Sequence, residues 1–380
     1  MVDAAATVEV MAADEAALRI YEGLAEGSAF APAQNPLWIR SWVSNVKPDG
    51  LIVTLKTHEI PVLALALEVV RHGPFRVARY MGGTHANGNF PLAKKAWLAS
   101  HNTPDVAEIC DAIRTARPDI DALILERSSE TLFGMRNPLL ALPHIRGANV
   151  ALSVELESSF DQLLEHLNAK RKRKKHRAQT RKFEAAGGYR CIAAKSDEDI
   201  RNALDAYFAM KANRFREMGV TDVFAPTEVR AFFTQLFLSA QAQTPPPFVV
   251  NGLEVGGKFR AITGSSLSGD RLVCEFAGMS NDELVSSSPG EFLFFENIRE
   301  ACKNGLSVYD LSVGDEPYKR LWCDVETWHL DVIAPLTLKG RLLAWKMKLT
   351  TQLKSTIKNN PAIWNVVKRL RRKAARPSDD

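Results

Sequence analysis

Ionisable side chains gather at the end of a predicted strand near residue 310. Apolar residues alternate through 307–313 as in a half-buried strand, and Asp315, Glu316, Tyr318 and Lys319 follow directly. A carboxylate can take a proton from an attacking amine, and a phenol can return one to a leaving group. We therefore predict Asp315 as the general base, Tyr318 as the general acid and Lys319 as a ligand for an anionic substrate. Each residue type is also common in surface turns, so the prediction depends on their clustering.

The motif Ser288-Pro289-Gly290-Glu291 predicts the start of a helix upstream of that strand. Ser288 suits the N-cap, Pro289 the first helical position, and Glu291, three residues after the cap, completes a capping box. A structural cap explains the motif by itself. A helix N-terminus that follows a central strand can also hold an anionic donor on its backbone N–H groups. The candidate cofactor-binding residues are Ala277, Gly278, Ser288, Pro289 and Gly290.

The order of these features resembles the acyl-donor half of GNAT-type acyltransferases: strand, Ser-Pro-Gly, helix, strand, Gly-Asp-x-x-Tyr-Lys. Within that superfamily the chain is similar to the branch of cellulose-biosynthesis-type acetyltransferases, distant relatives of the Fem-type aminoacyltransferases of peptidoglycan. The resemblance covers roughly Phe160–Trp322. It implies an α/β (α+β) fold of tandem GNAT-like domains, with mixed central sheets flanked by helices.

The resemblance also implies an acyl-thioester donor, carried by coenzyme A or by the phosphopantetheine of an acyl carrier protein. GNAT enzymes that hold the pyrophosphate of coenzyme A commonly show Gln/Arg-x-x-Gly-x-Gly/Ala at the helix start, and this chain does not. Glu291 places negative charge where the diphosphate would lie. Both carriers therefore stay open, because a carrier protein needs only its phosphopantetheine arm to enter.

A weak internal repeat also indicates two tandem domains. Each half is predicted to contain a hairpin, a third strand ending at a glycine, a loop ending at a proline, a helix and a further strand. The predicted elements of the first half are Leu51–Lys56, Ile60–Val70, Arg76–Met81, a helix near Pro104–Arg117, and Ala122–Glu126. Those of the second half are Phe248–Glu254, Lys258–Leu267, Arg271–Ala277, a helix Phe292–Asn304, and Val308–Leu311.

The loop Gly82–Phe90 takes the place of the Ser-Pro-Gly loop in the first half. It is rich in small and hydrogen-bonding residues, which suits a loop that wraps an acceptor. We predict Asn87 and Asn89 as acceptor ligands and His85 as a further candidate base, although a loop histidine is more often structural. In Fem-type relatives the first domain contributes to acceptor binding, so the resemblance implies the same division here.

Between the halves, Phe160–Ala186 is predicted as one helix that ends at two glycines. Its first turns carry an apolar stripe, and nine of the residues from 170 to 182 are Lys or Arg. Extending the helical period places several of these cations on the face that began apolar. A solvated cationic helix, a surface for a phosphate-rich substrate and general nucleic-acid binding all stay open, and Lys174 and Arg177 are the predicted substrate ligands. The segment lacks interleaved aromatic residues, so specific nucleic-acid recognition is not favoured.

The composition of the 380 residues, 46% hydrophobic and 24% charged, is that of a globular protein with two domains. Five cysteines without paired spacing argue against disulfides or a metal site and predict a reducing compartment. The N-terminus lacks a secretory pattern, and the longest apolar run is too short to span a membrane. We therefore expect a cytosolic protein, with an acceptor-side domain at 1–155, an acyltransferase domain at 156–334 and a tail at 335–380.

The tail carries most of the positive charge. Residues 335–376 include 12 Lys or Arg and no Asp or Glu, whereas the rest of the chain is net acidic. Apolar residues recur at helical spacing: Leu338, Leu342, Trp345, Leu349, Leu353 and Ile357. A second helix is predicted from Asn360-Pro361. The pattern predicts a basic amphipathic tail at an anionic membrane surface, or a helix packed on the body with a free basic end.

We therefore expect an acyltransferase that moves an acyl group from a thioester to an amine or hydroxyl of an envelope polysaccharide or lipid. Relatives in the branch have been associated with exopolysaccharide production and with N-acylation of sphingoid bases. Two alternatives stay open: a Fem-type transferase that uses aminoacyl-tRNA, and a non-catalytic accessory protein of polysaccharide synthesis. Hydrolase elbows, phosphate-binding Walker loops and His-Glu-x-x-His zinc motifs are missing from the sequence.

Overall fold

The structure is a computed structural model that describes residues 6–100 and 106–359. The strands are β1 Ala6–Ala12, β2 Ser28–Ala29, β3 Gly50–Thr57, β4 Ile60–His72, β5 Phe75–Tyr80, β6 Leu92–Lys94, β7 Ala122–Ser128, β8 Thr131–Leu132, β9 Met135–Arg136, β10 His144–Glu155, β11 Tyr189–Ala194, β12 Phe248–Val255, β13 Lys258–Ser268, β14 Arg271–Met279, β15 Val308–Val313 and β16 Val325–Pro335. The helices are α1 Glu15–Leu24, α2 Pro36–Val46, α3 Lys95–Ala99, α4 Ala107–Ala116, α5 Phe160–His166, α6 Ala169–Ala185, α7 Asp197–Met218, α8 Thr227–Ala240, α9 Pro289–Lys303 and α10 Leu338–Asn359.

A single mixed sheet of 14 strands runs through the described residues. Its main order is β1-β3-β4-β5-β7-β16-β10-β15-β14-β13-β12-β11, with β2 and β6 attached beside β4, and β8 and β9 form a separate hairpin. The two halves of the chain meet in the middle, where β16 pairs with β7 and β10 pairs with both β16 and β15. The predicted α/β class, with a mixed sheet flanked by helices, is confirmed.

Each half contains one parallel strand pair joined by a crossover helix. In the first half β5 pairs with β7, and in the second β14 pairs with β15. The pairing covers two residues in the first half and three in the second, although the strands continue beyond it. The strands of each pair therefore separate toward their C-terminal ends. This shared unit is the structural form of the internal repeat that the glycine and proline spacing indicates.

An aromatic core joins the two halves. The ring of Trp38 in α2 lies 5.0 Å from that of Phe232 in α8, and the ring of Trp42 lies 4.9 Å from the same phenylalanine. Phe276 of β14 contacts the same cluster through Phe233, at 5.5 Å. Edge-to-face pairs of this kind add about 0.5–1.5 kcal/mol each beyond their burial. The first half is therefore positioned directly against the strand that carries the predicted donor site.

The prediction of one helix over Phe160–Ala186 was wrong. Asn168 adopts a left-handed conformation with φ 62°, and its side chain accepts a hydrogen bond from the backbone of Arg171, so a second helix starts there. Because of this break, the buried face of α6 cannot be found by continuing the helical period of α5. The buried face of α6 is formed by Gln179 and Phe183, not by a continuation of the earlier apolar stripe.

The predicted capping box at the start of α9 was also wrong. Pro289 is the first helical residue, as predicted, but Ser288 has φ 52° and its side chain makes no capping bond. Glu291 instead forms an ion pair with Lys175 of α6. Gln179 of α6 donates to the backbone carbonyl of Ser288 at 3.1 Å. The turn is therefore held from a neighbouring helix and not by its own serine.

The remaining helix predictions concern the ends of the described ranges. The first-half crossover helix begins at Ala107 in the structure, and residues 101–105, which include the predicted start near Pro104, lie outside the described residues. The first tail helix is present as α10. The helix predicted from Asn360 lies outside the described residues.

We expect Gly264→Ala to lower the free energy of unfolding by about 1–3 kcal/mol, the usual cost of overpacking a core. A Cβ at this position would lie 2.1 Å from the ring of Phe276, which would have to move together with β14. Chemical denaturation measures the effect. Gly23→Ala is the matched control, since Gly23 lies in α1 with nothing within 4 Å of an added Cβ. A Gly264→Ala protein as stable as the control would contradict the packing described here.

Candidate functional site

The gap between β14 and β15 opens at a defined point. The strands pair from Arg271–Val308 to Val273–Asp310 and no further. Ser312, which has φ 63°, turns out of the strand, and its Oγ donates to the carbonyl oxygen of Cys274 at 2.6 Å. This bond closes the bottom of the gap, so that the rest of β14, toward Met279, has an unpaired edge on that side.

A β-bulge lies at the mouth of the gap. On β14, Cys274 pairs with Ser265 and Phe276 pairs with Gly264, so Glu275 is an extra residue in the ladder. Bulges of this kind re-aim side chains next to functional sites. Further along, Ser280 N donates to the carbonyl of Arg260. Ser280 and Arg260 therefore form a hydrogen-bonded pair, and such pairs alternate along an antiparallel ladder. The backbone groups of Ala277 and Met279 consequently point away from β13 and into the gap.

The bulge places the carboxylate of Glu275 in a half-buried polar site. Its Oε1 accepts a hydrogen bond from Ser266 Oγ at 2.6 Å, and its Oε2 accepts one from Asn87 Nδ2 at 2.9 Å. Burial raises the pKa of Glu275 to about 7, with a smaller contribution from the negative charge of Asp310, against the lowering effect of the two hydrogen bonds. A carboxylate with a pKa near neutral is suited to accept a proton from an amine and release it again.

A cavity of about 370 Å³ lies beside this carboxylate, between the two halves of the chain. It is lined from the first half by residues of 28–35, Lys95 and Phe133, and from the second by Phe248 and residues 266–270. Ser266 forms part of its wall and is hydrogen-bonded to Glu275. Glu275 does not line the cavity itself but is linked to its wall by the hydrogen bond from Ser266.

Asp315 and Lys319, predicted as base and substrate ligand, have structural partners. Asp315 is exposed, and its carboxylate receives a 2.6 Å bond from Arg320. Lys319 is buried, with its Nζ 3.2 and 2.9 Å from the carbonyl oxygens of Ser312 and Val313 and 3.1 Å from Glu316. The ammonium therefore fixes the end of β15, and three partners occupy its three protons.

Tyr318 lies close to the gap. Its ring stacks on Phe294 of α9 at 5.7 Å and is partly exposed. Burial, together with the nearby Glu316 and Cys274, raises the pKa of Tyr318 well above its usual value. The phenol therefore keeps its proton at neutral pH and can donate a hydrogen bond.

The first-half loop has a different role at each predicted residue. Asn87 reaches across to Glu275, donating to its carbonyl oxygen at 2.6 Å as well as to its carboxylate. Asn89 is buried, and its side chain donates to the carbonyl of Glu126 and accepts from Gln34. His85 packs among Trp42, Phe224 and Phe233, and burial lowers its pKa to about 4. A histidine in that environment stays neutral and cannot hold a proton at physiological pH.

The loop also fills the first-half gap between β5 and β7. Asn89 forms a parallel bridge with Ser128, its backbone N–H donates to Arg127, and its carbonyl accepts from Ser129. Chain from the same domain therefore occupies the hydrogen-bonding edge of β7. In the second half, by contrast, the edge of β14 at Ala277 and Met279 has no such strand beside it in the described sheet.

The α9 N-terminus is covered by the cationic helix α6. His176 of α6 stacks between Phe292 and Phe295, 4.5 and 4.1 Å away, and Phe183 is fully buried. Lys172 lies 3.4 Å from the ring centroid of Trp322, and burial lowers the pKa of this lysine to about 8. These contacts fix the rotation of α6 about its axis.

With that rotation, a shallow groove of about 470 Å³ runs along α6. It is lined by Asn168, Lys170, Arg171, Lys174, Lys175 and Ala178. Lys175 at its edge neutralises Glu291 in the first turn of α9. The predicted ligand Lys174 lines the groove, whereas Arg177 is exposed and does not. Gly290 lies next to Met279 at the end of β14, so the groove and the open strand edge adjoin the same helix start.

Part of the chain that includes this site is similar to a known family. Residues 170–320 match the family model described as acetyltransferase (GNAT) domain. That segment contains β14, the bulge, α9 and β15. The segment is similar to a GNAT acetyltransferase domain, and the prediction that the chain is an acyltransferase of this type is confirmed. A search of curated proteins gives no match to the sequence.

Solved structures share the fold across most of the chain. The crystal structure of FemX superposes with a TM-score of 0.56 at 9% identity, covering 89% of this chain and 99% of that one. A conserved protein of unknown function from Bacteroides thetaiotaomicron gives 0.52 at 13% identity, covering 87% and 100%. The C-terminal domain of a protein assigned as a lysylphosphatidylglycerol synthetase from Agrobacterium fabrum gives 0.50 at 10% identity, covering 90% and 96%. At these identities the likeness establishes the fold alone.

Sequence reasoning missed Glu275 and Ser266. The available signal was a carboxylate inside the otherwise apolar strand Leu272–Ala277, since a charge in a central strand needs a reason. Two searches of the described ranges were negative: residues 6–100 and 106–359 contain no group of three His, Cys, Asp or Glu able to hold a metal ion. Within the same ranges no helix has the length and hydropathy to cross a bilayer.

Burial of Glu275 predicts a pH-dependent stability. The folded state binds this proton more tightly than the unfolded chain, so the stabilisation is complete below pH 4.5 and is lost as the pH rises through 7. Glu275→Gln lacks this titration. Its free energy of unfolding, relative to that of the wild type, should therefore rise by about 2–3 kcal/mol from pH 5 to pH 8. Urea unfolding at both pH values measures this difference. Glu300→Gln on the exposed face of α9 is the control, and equal differences for both variants would contradict a buried carboxylate at position 275.

Proposed function

We propose that this protein is an acyl-thioester-dependent acyltransferase that acylates an amine, with Glu275 as the general base. The observation that supports the proposal is the carboxylate of Glu275, which lies in the bulge of β14 and is hydrogen-bonded both to Ser266 of the cavity wall and to Asn87 of the first half. A donor lying along β14 and an acceptor in the cavity would meet at Glu275 from opposite sides. Holding two reactants in this way removes much of the entropic barrier.

The chemistry follows from groups already described. The acceptor nitrogen attacks the thioester carbon, forming a C–N bond, and its proton passes to the carboxylate of Glu275. The Ala277 N–H, which faces the gap, is positioned to stabilise the negative oxygen of the tetrahedral intermediate. The C–S bond then breaks, and Tyr318 can supply its proton to the departing thiolate and recover a proton, through water, from the protonated Glu275. Asp315 keeps its predicted role as base only if the acceptor approaches from the outer end of β15.

The donor we propose is an acyl group on coenzyme A or on the phosphopantetheine of an acyl carrier protein. The groove on α6 concentrates positive charge beside the start of α9 and the edge of β14. Arg171 and Lys174 would compensate for the missing glycine-rich pyrophosphate motif, while Lys175 offsets the charge of Glu291. An acidic carrier protein would find the same charge complementarity, so donor analogues must separate the two carriers.

The acceptor class we propose is an envelope precursor, a polysaccharide or a lipid amine such as a sphingoid base. Support comes from the resemblance to cellulose-biosynthesis-type acetyltransferases and from the fold shared with FemX and with a protein assigned as a lysylphosphatidylglycerol synthetase. The cavity, with both apolar and polar walls, suits an amphipathic amine. We keep the division into an acceptor-side unit at 1–155, a donor unit at 156–334 and a tail at 335–380 as part of this proposal.

A second candidate donor is aminoacyl-tRNA, which the cationic groove on α6 also favours. The two donors differ in the bond that is broken, which is an ester in aminoacyl-tRNA and a thioester in acyl-coenzyme A or an acyl carrier protein. Release of free thiol from acyl-coenzyme A, followed with a thiol reagent, supports the thioester donor. Activity that needs charged tRNA and disappears on ribonuclease treatment would instead assign aminoacyl-tRNA as the donor.

Glu275→Gln should lower kcat/KM about 10²–10⁴-fold, the usual contribution of a positioned general base. In the wild type, kcat/KM should rise with pH and level off above about pH 7, because the carboxylate must be ionised to accept the proton. The pH profile of thiol release measures both effects. Asp315→Asn serves as the comparison and should retain most of the activity. A larger loss in Asp315→Asn than in Glu275→Gln would transfer the role of base to Asp315.

Reversing two charges in the groove should weaken donor binding. Arg171→Glu with Lys174→Glu should raise the KM for acyl-coenzyme A at least tenfold with little change in kcat, and leave the KM for acyl-pantetheine, which has no nucleotide phosphates, unchanged. Lys258→Glu with Lys195→Glu, both exposed and distant in sequence, is the matched control. Equal effects on both donors would show that the groove does not bind the phosphates.

A further inference from the structure

Helix α10 presents an apolar stripe to solvent. Leu338, Leu342, Trp345 and Leu349 have exposed fractions of 79, 60, 63 and 52%, although each is large and apolar. At 100° per residue, these four positions fall within a sector about 60° wide. Elsewhere in the described chain the exposed large apolar residues occur singly, as Ile60 does, or in smaller and less exposed groups, as Met218, Val220 and Val223 do, so this contiguous surface calls for an explanation.

The orientation of the stripe is fixed by the opposite face of α10. Leu343 is buried against Val77 and Ile124 of β5 and β7. The helix start is held by Thr337, whose Oγ1 donates to Asp121 at 2.8 Å and accepts from the backbone of Gly340. Gly340 permits the close approach, since a Cβ there would lie 1.8 Å from the carbonyl oxygen of Asp121. The stripe therefore faces outward from a rigidly docked helix.

Cations flank the stripe on both sides. Helical geometry places Lys339 and Lys346 about 80–100° from the start of the stripe in one direction, and Arg341 and Lys348 about 60–80° in the other. All four are exposed. The sequence 335–376 contains no acidic residue. An apolar centre with cationic edges matches the interface of an anionic bilayer, where acyl chains meet negatively charged headgroups.

We propose that the outer face of α10 is a docking surface for an anionic phospholipid bilayer, with α10 lying in the plane of the interface. The charge pattern argues against a second copy of this chain as occupant. In a two-fold contact through the stripe, the flanking cations of one copy would meet those of the other, with no acidic partners nearby. The proposal does not depend on the acyltransferase mechanism, because binding needs neither donor nor acceptor.

Sedimentation of the full chain with vesicles tests the proposal. Binding to vesicles of phosphatidylcholine and phosphatidylglycerol at 7:3 should exceed binding to pure phosphatidylcholine at least tenfold, and Leu342→Ser with Trp345→Ser should reduce the former at least tenfold. Val220→Ser with Val223→Ser, two exposed apolar residues outside α10, is the matched control and should bind as the wild type does. Thermal unfolding of each variant verifies that the fold is retained.

A second measurement distinguishes the stripe from the basic residues after 359. Brominated lipids should quench the fluorescence of the wild type more than that of Trp345→Phe, since Trp345 would contact the acyl chains. Undiminished vesicle binding by the Leu342→Ser, Trp345→Ser protein, or equal quenching in the Trp345→Phe protein, overturns the proposal. A wild type that dimerises in solution, and becomes monomeric in the double variant without binding vesicles, assigns the surface to a second copy instead.

Discussion

The rest of the site depends on one constraint, a half-buried and hydrogen-bonded carboxylate at the junction of the two halves of the chain. Burying Glu275 is costly unless its oxygens are hydrogen-bonded, and the two donors come from different places: Ser266 from the neighbouring strand and Asn87 from the first-half loop. The second half alone cannot supply the second donor. The base, its pKa and the cavity beside it are therefore products of the interface between the halves, which the aromatic packing of α2 on α8 stabilises.

The same interface explains why the two copies of the unit have diverged. In the first half, the loop after β5 folds back so that Asn89 occupies the edge of β7 and Asn87 projects into the other half. A gap filled in this way cannot admit a donor, but the filling loop gains a fixed position from which to serve the second site. In the second half the corresponding chain forms the α9 start, which is held open by Gln179 and Lys175 from α6. The first-half gap is therefore occupied by its own loop, and that loop contributes Asn87 to the site in the second half.

Much of the fold was predictable because it depends on local pattern. Alternating apolar residues located β3, β4, β5, β7, β12, β13, β14 and β15 to within about two residues, and the spacing of Gly82 and Gly278 indicated the repeat. The misses have two causes. Asn168 separates two helices and caps the second through its own side chain, a local break that helical periodicity does not register. Ser288 has a left-handed conformation, and its carbonyl accepts a hydrogen bond from Gln179 of another helix, which is a tertiary contact. At the site, the cluster after β15 was found, but Lys319 and Asp315 are engaged by the chain itself. Glu275 was marked in the sequence by its charge within an apolar strand, but its hydrogen-bond partners depend on the bulge and on Asn87 of the other half.

Charge is distributed in this molecule according to what each surface must meet. The acidic carboxylate at the centre is half-buried, and the cations lie at two separate places, the groove on α6 and the flanks of α10. In α6 the large apolar side chain of Phe183 is buried and four cations line the groove, which suits a phosphorylated group in solution. In α10 the cations border an exposed apolar stripe, which suits a surface that is anionic at its boundary and apolar beneath. Two basic helices of similar net charge therefore differ in the partner they fit, and the difference lies in where their apolar residues point.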